Sequence, residues 1–131
     1  MRVITFGTFD LFHIGHVRLL KRARELGGSL TVGVSTDALN VEKKGLSPFY
    51  SQDHRLEIVD SLRFVDEVFY EESLEKKRSY VEFYRADILV MGEDWAGKFD
   101  YLSDACSVVY LPRTDGVSST LIRDALSGEK R

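Results

Sequence analysis

Two histidines stand three residues apart near the beginning of the chain, shortly after a glycine. The segment 7–16 reads GTFDLFHIGH, which places His13 and His16 on one face of a helical turn if a helix begins there. Free N–H groups and the dipole at a helix start favour phosphate. Two imidazoles at that position could donate hydrogen bonds to a polyphosphate and stabilise the charge that develops when a phosphoanhydride bond breaks.

A bare pair of histidines can also occur in a helix without any chemical role. One could be exposed and the other satisfied in the core. A zinc site would need more ligands than two histidines provide. The single cysteine, Cys106, excludes an internal disulfide and a Cys-rich zinc site, and we expect it to be a small core residue.

A second group of polar residues lies near the other end of the chain, where 113–123 reads RTDGVSSTLIR. Arg113 follows an apolar run, and its guanidinium could make a forked contact with phosphate oxygens. Ser118, Ser119 and Thr120 open a predicted helix. Their role could be limited to capping that helix, or they could also offer hydroxyl and N–H groups to a phosphate.

Three further positions could contribute to the same chemistry. The carboxylate of Asp94 could accept a hydrogen bond from the exocyclic amine of cytosine, whereas Trp95 is equally compatible with packing in a turn. Asp10 could orient a histidine or hold a magnesium-bound water. Lys43 and Lys44 could clamp a substrate from a mobile segment or form a solvated charge pair.

The elements that must position these residues alternate along the chain. Five apolar runs predict strands at 3–6, 30–35, 65–69, 88–91 and 107–111, and helical patterns cover 14–26, 52–64, 72–84 and 120–126. This alternation predicts an α/β fold: one domain over 1–131, with a Rossmann-like, doubly wound parallel sheet of about five strands flanked by helices. Ligands of such sheets bind beyond the carboxyl ends of the strands. Residues 40–50, with Gly45 and Pro48, are predicted to be a loop or flap.

Composition excludes several classes of protein. With 44% hydrophobic and 30% charged residues in 131, the chain is neither disordered nor fibrous. A formal charge of −3 argues against broad nucleic-acid binding. No apolar run approaches the roughly 18 residues that cross a bilayer, and the first residues do not resemble a signal peptide. We therefore expect a cytoplasmic protein without membrane association.

The two motifs together resemble the signatures of the HIGH-type nucleotidyltransferases, and the segment 113–120 is similar to that of the cytidylyltransferases. Over nearly its whole length the chain resembles the bacterial glycerol-3-phosphate cytidylyltransferases, with further matches at 35–37, 63–68 and 91–95. This resemblance implies transfer of the cytidylyl group of CTP to sn-glycerol 3-phosphate. The products would be CDP-glycerol, for teichoic-acid or capsule polymers, and pyrophosphate. It also implies a homodimer. Because the chain shows no dense cage of carboxylates, we expect Mg²⁺ to arrive with CTP.

The resemblance also assigns residues. It implies that His13, His16 and Arg113 are catalytic. It places CTP against two segments and one isolated carboxylate: Gly7, Thr8, Phe9, Asp10, His13, Ile14, Gly15 and His16; Arg113, Thr114, Asp115, Gly116, Val117, Ser118, Ser119 and Thr120; and Asp94. It assigns the second substrate to Lys43, Lys44, Arg55, Arg63 and Lys77.

Some of these assignments leave alternatives open. In the family, one residue separates the two loop lysines, whereas Lys43 and Lys44 follow each other directly. Lys43 therefore matches the family pattern better than Lys44. Arg55 could support the fold around the phosphate, Arg63 could merely pair with Asp66, and Lys77 lies in a segment that would ordinarily be a solvated face.

Other functions remain possible at this point. The acceptor could be phosphocholine, phosphoethanolamine or another polyol phosphate. A non-catalytic nucleotide sensor would bind CTP without turnover, and a zinc-dependent hydrolase is the least favoured option. No Ser or Cys stands beside a base in a nucleophile motif, which favours direct transfer without a covalent enzyme intermediate.

Overall fold

The five strands found in residues 1–128 join one parallel sheet. These are the residues that a computed structural model describes; the last three residues of the predicted domain lie outside them. The strands are β1 (Arg2–Gly7), β2 (Ser29–Ser35), β3 (Glu67–Glu71), β4 (Ile88–Gly92) and β5 (Ser107–Leu111). Their order in the sheet is β3-β2-β1-β4-β5, and every pairing is parallel. The predicted fold class is therefore confirmed.

Helices connect the strands and cover the sheet. They are α1 (Ile14–Glu25), α2 (Asp37–Lys44), α3 (Gln52–Asp60), α4 (Lys77–Phe83) and α5 (Ser119–Ser127), with short 3₁₀ helices at Glu93–Trp95 and Asp100–Leu102. Within residues 1–128, no helix combines the length and apolar character needed to cross a membrane.

The core lies on both faces of the sheet because successive strand residues point to opposite sides. Val3 belongs to the cluster with Leu20, whereas its neighbour Ile4 belongs to the cluster with Leu89 on the other face. Strands buried in this way read as continuous apolar runs, which is why they are visible in the sequence.

The prediction that 40–50 is a loop was wrong for its first half. Residues Asp37–Lys44 form α2. The hydroxyl of Thr36 accepts a hydrogen bond from the N–H of Leu39 and caps the helix, and Gly45 ends it in a left-handed conformation with φ of 76°. The two lysines therefore lie in the last turn of a helix rather than in a free flap.

Two other helices are shorter than predicted. Helix α3 ends at Asp60 instead of reaching residue 64, because the chain turns at Ser61, whose hydroxyl donates to the carbonyl of Ile58. Helix α4 begins at Lys77 instead of residue 72, because the hydroxyl of Ser73 accepts the N–H of Glu75 in a local turn.

Candidate active site

The carboxyl ends of the strands open into one cleft of about 590 Å³. Gly7 of β1, Glu71 of β3, Gly92 of β4 and Leu111 of β5 all line it. Both sequence motifs reach this cleft, although about a hundred residues separate them. Their convergence follows from the parallel sheet, which places every strand end on the same edge.

His13 and His16 are held at the start of α1 by a reciprocal pair of hydrogen bonds. The Nδ1 atom of His13 accepts the N–H of Gly15 at 3.0 Å, and Nδ1 of His16 accepts the N–H of His13 at 3.1 Å. Because both Nδ1 atoms are acceptors, the proton of each neutral imidazole resides on Nε2. Each ring therefore has an N–H donor available on the edge away from the helix backbone.

Packing keeps both imidazoles neutral. Their rings are stacked with centroids 3.8 Å apart, and the ring of Phe12 stacks on His16 at 5.1 Å. Burial, reinforced by the neighbouring His13, lowers the pKa of His16 to about 3 although Asp10 opposes the shift. Burial also lowers the pKa of His13. At neutral pH the pair consists of hydrogen-bond donors rather than fixed charges.

Two glycines make room for this arrangement. A Cβ atom on Gly15 would lie 2.8 Å from Cε1 of His13, and one on Gly7 would lie 2.7 Å from Cζ of Phe9. Phe9 and Leu11 adopt left-handed φ values of 55° and 47°, which cost of order 1 kcal/mol each in a non-glycine residue. The loop between β1 and α1 is thus a strained backbone conformation beside the histidines.

Arg113, just after β5, forms an ion pair with Asp94, just after the neighbouring strand β4. The guanidinium lies 3.4 Å from the Asp94 carboxylate, with both side chains more than half exposed, and the N–H of Arg113 is bound by the carboxylate of Glu93. Exposed ion pairs contribute about 0–1 kcal/mol. A phosphate group can therefore draw Arg113 away from Asp94 at little cost.

The start of α5 closes the cleft beside the first motif. The hydroxyl of Ser118 accepts the N–H of Leu121 and caps the helix, while the hydroxyl of Ser119 donates to the carbonyl of Asp10 at 2.5 Å. Both hydroxyls thus have structural partners. The N–H groups of Ser119 and Thr120, at the start of the helix, could bind a phosphate.

The carboxylate of Asp10 is bound by two backbone N–H groups and a guanidinium. Its buried carboxylate accepts the N–H groups of Phe49 and Tyr50 at 2.6 and 2.9 Å, and it pairs with Arg123 of α5 at 2.7 Å. It is therefore an anchor that ties the segment before α3 and helix α5 to the β1–α1 loop. Arg123 also lines the cleft, and the sequence analysis assigned it no role.

The three predicted substrate lysines line the same cleft. Lys43 and Lys44 enter from the end of α2, and Lys77 enters from the start of α4, where it is buried against Glu71. Burial lowers the pKa of Lys43 and of Lys77, and the charge of Glu71 opposes both shifts. The lysines together make this end of the cleft positive.

The structure does not bring the two predicted arginines to the cleft. Arg55 is completely buried and donates to the carbonyls of Thr8, Ser35 and Tyr50 and to the carboxylate of Asp37. It supports the fold beneath the site, which is the second of the two roles considered for it.

Arg63 is exposed in the turn before β3, at the opposite edge of the sheet. It does not pair with Asp66, whose carboxylate instead binds Arg24 at 3.3 Å and the N–H of Leu30. The alternative that Arg63 pairs with Asp66 was therefore wrong.

Most, but not all, of the residues predicted to bind CTP line the cleft. Those of the nucleotide set that line the cleft are Gly7, Thr8, Phe9, Asp10, His13, Gly15, His16, Asp94, Arg113, Thr114, Val117, Ser118, Ser119 and Thr120. Ile14, Asp115 and Gly116 do not line it; Ile14 is directed to solvent, and Gly116 supplies a turn with φ of 78°.

A buried amide that the sequence analysis missed also borders the cleft. Asn40 of α2 accepts the Thr8 hydroxyl at 2.8 Å and donates to the Ser35 hydroxyl and the Thr36 carbonyl. These contacts join the ends of β1 and β2 through α2. The only sequence signal for Asn40 would have been a helix over Asp37–Lys44, which was not predicted.

Among residues 1–128, no three His, Cys, Asp or Glu side chains are grouped so that they could hold a metal ion. The site instead offers neutral N–H donors, backbone N–H groups and cations around one open volume. Such a set suits a polyphosphate and a second phosphate lying side by side.

Comparisons with known proteins agree with this chemistry. Residues 4–125 match the family model described as cytidylyltransferase-like. The glycerol-3-phosphate cytidylyltransferase of Bacillus subtilis is 48% identical over 97% of this chain and 98% of its own length. The enzyme of that name from Staphylococcus aureus is 47% identical over 98% and 96%. A lipopolysaccharide core biosynthesis protein from Thermoplasma volcanium superposes with a TM-score of 0.75 and 26% identity, covering 88% of this chain and 98% of that one.

Proposed function

The chain belongs to the cytidylyltransferase-like family, and we propose from this premise that it transfers the cytidylyl group of CTP to sn-glycerol 3-phosphate. The products are CDP-glycerol and pyrophosphate. Relatives of that activity match nearly the full length of the chain. The observation that carries the proposal is that His13, His16 and Arg113 line one cleft with the lysines that would receive the acceptor.

The reaction is an in-line displacement at the α-phosphorus of CTP. An oxygen of the acceptor phosphate forms a bond to that phosphorus while the bond to the β-phosphate oxygen breaks, and pyrophosphate leaves with the electron pair. The enzyme's contribution is to position both phosphates and to stabilise the negative charge that moves to the leaving group.

The histidines suit this task because they are neutral donors of fixed orientation. Their Nε2–H groups would bind oxygens of the triphosphate, and a bound anion would raise the pKa of both imidazoles and strengthen these bonds. Arg113 would leave Asp94 to bind the same phosphates. Asp94 is then free to accept the exocyclic amine of cytosine, as the sequence analysis suggested.

The acceptor phosphate is assigned to the lysines. Lys43 and Lys44 approach the cleft from α2, and Lys77 approaches it from α4. The part of the cleft lined by these lysines would then be the acceptor side, and the starts of α1 and α5 would form the nucleotide side. The attacking oxygen would then approach the α-phosphorus opposite the leaving pyrophosphate.

Magnesium is assigned to the substrate rather than to the chain. Both carboxylate oxygens of Asp10 are engaged by N–H groups and Arg123, and Asp94 lies beside Arg113. Mg²⁺ prefers to keep several waters and to bind substrate phosphates. We therefore propose that CTP enters as its magnesium complex.

Three wider properties belong to the same proposal. The resemblance supports a homodimer, and exposed apolar side chains such as Phe83 and Phe49, 77% and 69% exposed, leave surface for a partner copy. CTP is an intracellular nucleotide, which supports a cytoplasmic reaction. CDP-glycerol is an activated donor, so an enzyme that polymerises glycerol phosphate, for teichoic acid or capsule, would consume it.

The test is an acceptor panel with CTP and Mg²⁺, scored by pyrophosphate release and by identification of the CDP-alcohol. Glycerol 3-phosphate should exceed phosphocholine, phosphoethanolamine and other polyol phosphates. A better acceptor would change the substrate assignment. CTP binding by calorimetry without turnover of any acceptor would instead identify a nucleotide sensor.

A further inference from the structure

A buried ion pair forms part of the cleft wall on the acceptor side. Glu71 ends β3 and Lys77 begins α4, and each is only 1% exposed. The ammonium of Lys77 donates a hydrogen bond to the carboxylate of Glu71. Because both residues line the cleft, this pair faces the space where an acceptor would bind.

Two aromatic rings complete the surroundings of the ammonium. Nζ of Lys77 lies 3.9 Å from the ring centroid of Phe6 and 5.1 Å from that of Phe99. Ring faces attract cations, so the carboxylate and the rings hold the ammonium from different directions. Within residues 1–128, Glu71 accepts one of its three N–H groups and no other acceptor binds it, so the other two could bind a ligand.

An ammonium buried to this extent keeps its charge only with help. Burial lowers the pKa of Lys77, and the carboxylate of Glu71 raises it again through charge and hydrogen bonding. The same carboxylate also raises the pKa of Lys43 of α2, against its burial and the charges of neighbouring cations. Glu71 therefore offsets the burial that would otherwise favour loss of the Lys77 proton.

We propose that Glu71 is a positioning residue, which keeps the Lys77 ammonium charged and directed at the acceptor phosphate. The inference rests on the proposed function, since it takes glycerol 3-phosphate as the acceptor. Glu71 itself contacts no reacting atom. Its effect is specific to the acceptor, because the histidines and Arg113 bind the nucleotide independently of this pair.

The substitution Glu71→Gln keeps the shape and a hydrogen-bond acceptor but removes the charge. We expect kcat/KM for glycerol 3-phosphate to fall by about tenfold or more at alkaline pH, with the basic limb of its pH profile displaced by about one unit to lower pH. The KM for CTP should change by less than about twofold, since one unaltered site binds it. A wild-type profile in an active Glu71→Gln enzyme would overturn the inference.

A double variant separates loss of charge from structural damage. In Glu71→Gln combined with Lys77→Arg, the guanidinium cannot lose its proton, so the displaced basic limb should return to its wild-type position. A limb that stays displaced would contradict the proposal. The matched control is Asp104→Asn, which removes an exposed carboxylate from its ion pair with Arg78. Neither residue of that pair lines the cleft, so the profile should be unchanged.

A direct titration of Lys77 needs no turnover. NMR of the protein with ¹³C-labelled lysine should show a midpoint for Lys77 that is lower by about one unit or more in Glu71→Gln than in the wild type. An unchanged midpoint would overturn the inference even if activity falls. Failure of the proposed function is distinguishable, because it would appear as a wild-type enzyme that forms no CDP-glycerol.

If Glu71→Gln does not fold, Glu71→Asp can test the positioning role of Glu71 instead. It keeps the carboxylate but withdraws it by one methylene. A raised KM for glycerol 3-phosphate with an undisplaced pH profile would support a positioning role, whereas an unchanged KM would contradict it.

Discussion

The backbone N–H of His13 donates to Nδ1 of His16 at 3.1 Å, so each histidine of the motif helps to orient the other. Nδ1 of His13 in turn accepts the N–H of Gly15. This reciprocal cap fixes the tautomer of both rings and stacks them at 3.8 Å. The spacing of the two histidines is therefore a requirement of the helix start as well as of the chemistry.

Replacing His16 should remove a donor to the triphosphate. His16→Ala is expected to lower kcat by about 10²–10³, the range for loss of one preorganised donor. Loss of the capping contact should cost only about 1 kcal/mol of folding stability. Steady-state kinetics and thermal melting measure the two effects. His54→Ala, on the exposed surface of α3, is the control and should retain activity; an active, folded His16→Ala enzyme would exclude the assigned role.

Gly15 should tolerate no side chain. In Gly15→Ala the new Cβ would lie 2.8 Å from Cε1 of His13, so the ring must move and the pair must separate. We expect kcat to fall by about tenfold or more, because small displacements of catalytic groups have effects of this size. Gly28→Ala is the matched control, since its nearest neighbour would be 3.8 Å away. Equal activity of the two variants would show that the close approach of Gly15 to His13 is not required.

Arg55 should matter for folding more than for chemistry. Arg55→Ala leaves the carbonyls of Thr8, Ser35 and Tyr50 without their buried donor, so unfolding should become easier by about 3–5 kcal/mol. Urea denaturation measures this loss. Arg22→Ala, on the exposed face of α1, should change stability by less than about 0.5 kcal/mol. A stable Arg55→Ala protein that has lost only its affinity for glycerol 3-phosphate would instead assign Arg55 to the substrate.

The low pKa of His16 predicts how stability depends on pH. With a folded pKa of about 3 and an unfolded value of 6.5, only the unfolded chain takes up a proton between these values. The contribution of His16 to stability is therefore complete above the unfolded pKa and is lost as pH falls toward the folded pKa. His16→Asn, which does not titrate, should show a shallower decrease in its urea midpoint over that range. Parallel pH dependences of the two proteins would show that His16 is not buried in neutral form.

The convergence of the two motifs was predictable because both follow apolar runs that read as parallel strands. Once the runs at 3–6 and 107–111 are assigned to one sheet, Gly7 and Arg113 must lie on the same edge. The glycines, the histidines and the serines that open α5 are local features, so their positions in sequence were sufficient to place them in the cleft.

The features of the site that could not be predicted from the sequence depend on contacts between residues that are distant in the chain. Arg123 pairs with Asp10 across 113 positions, and Asn40 binds Thr8 across 32. Helix α2 was missed because its eight residues offer little apolar periodicity, although Thr36 and Gly45 are good start and stop signals when read together. Arg55 is charged and lies near predicted substrate residues, and only the three-dimensional structure shows that it is buried.

The strand order has a consequence for how this protein acquires its activity. β1 occupies the centre of the sheet, and none of its pairings can form as a hairpin, because parallel neighbours require a long crossover. The hydrogen bond from the hydroxyl of Ser119 to the carbonyl of Asp10 joins residues that are 109 positions apart in the chain. A nascent or partly folded chain therefore carries its histidines without the opposite wall of the cleft, and catalytic competence should arise late and all at once during folding.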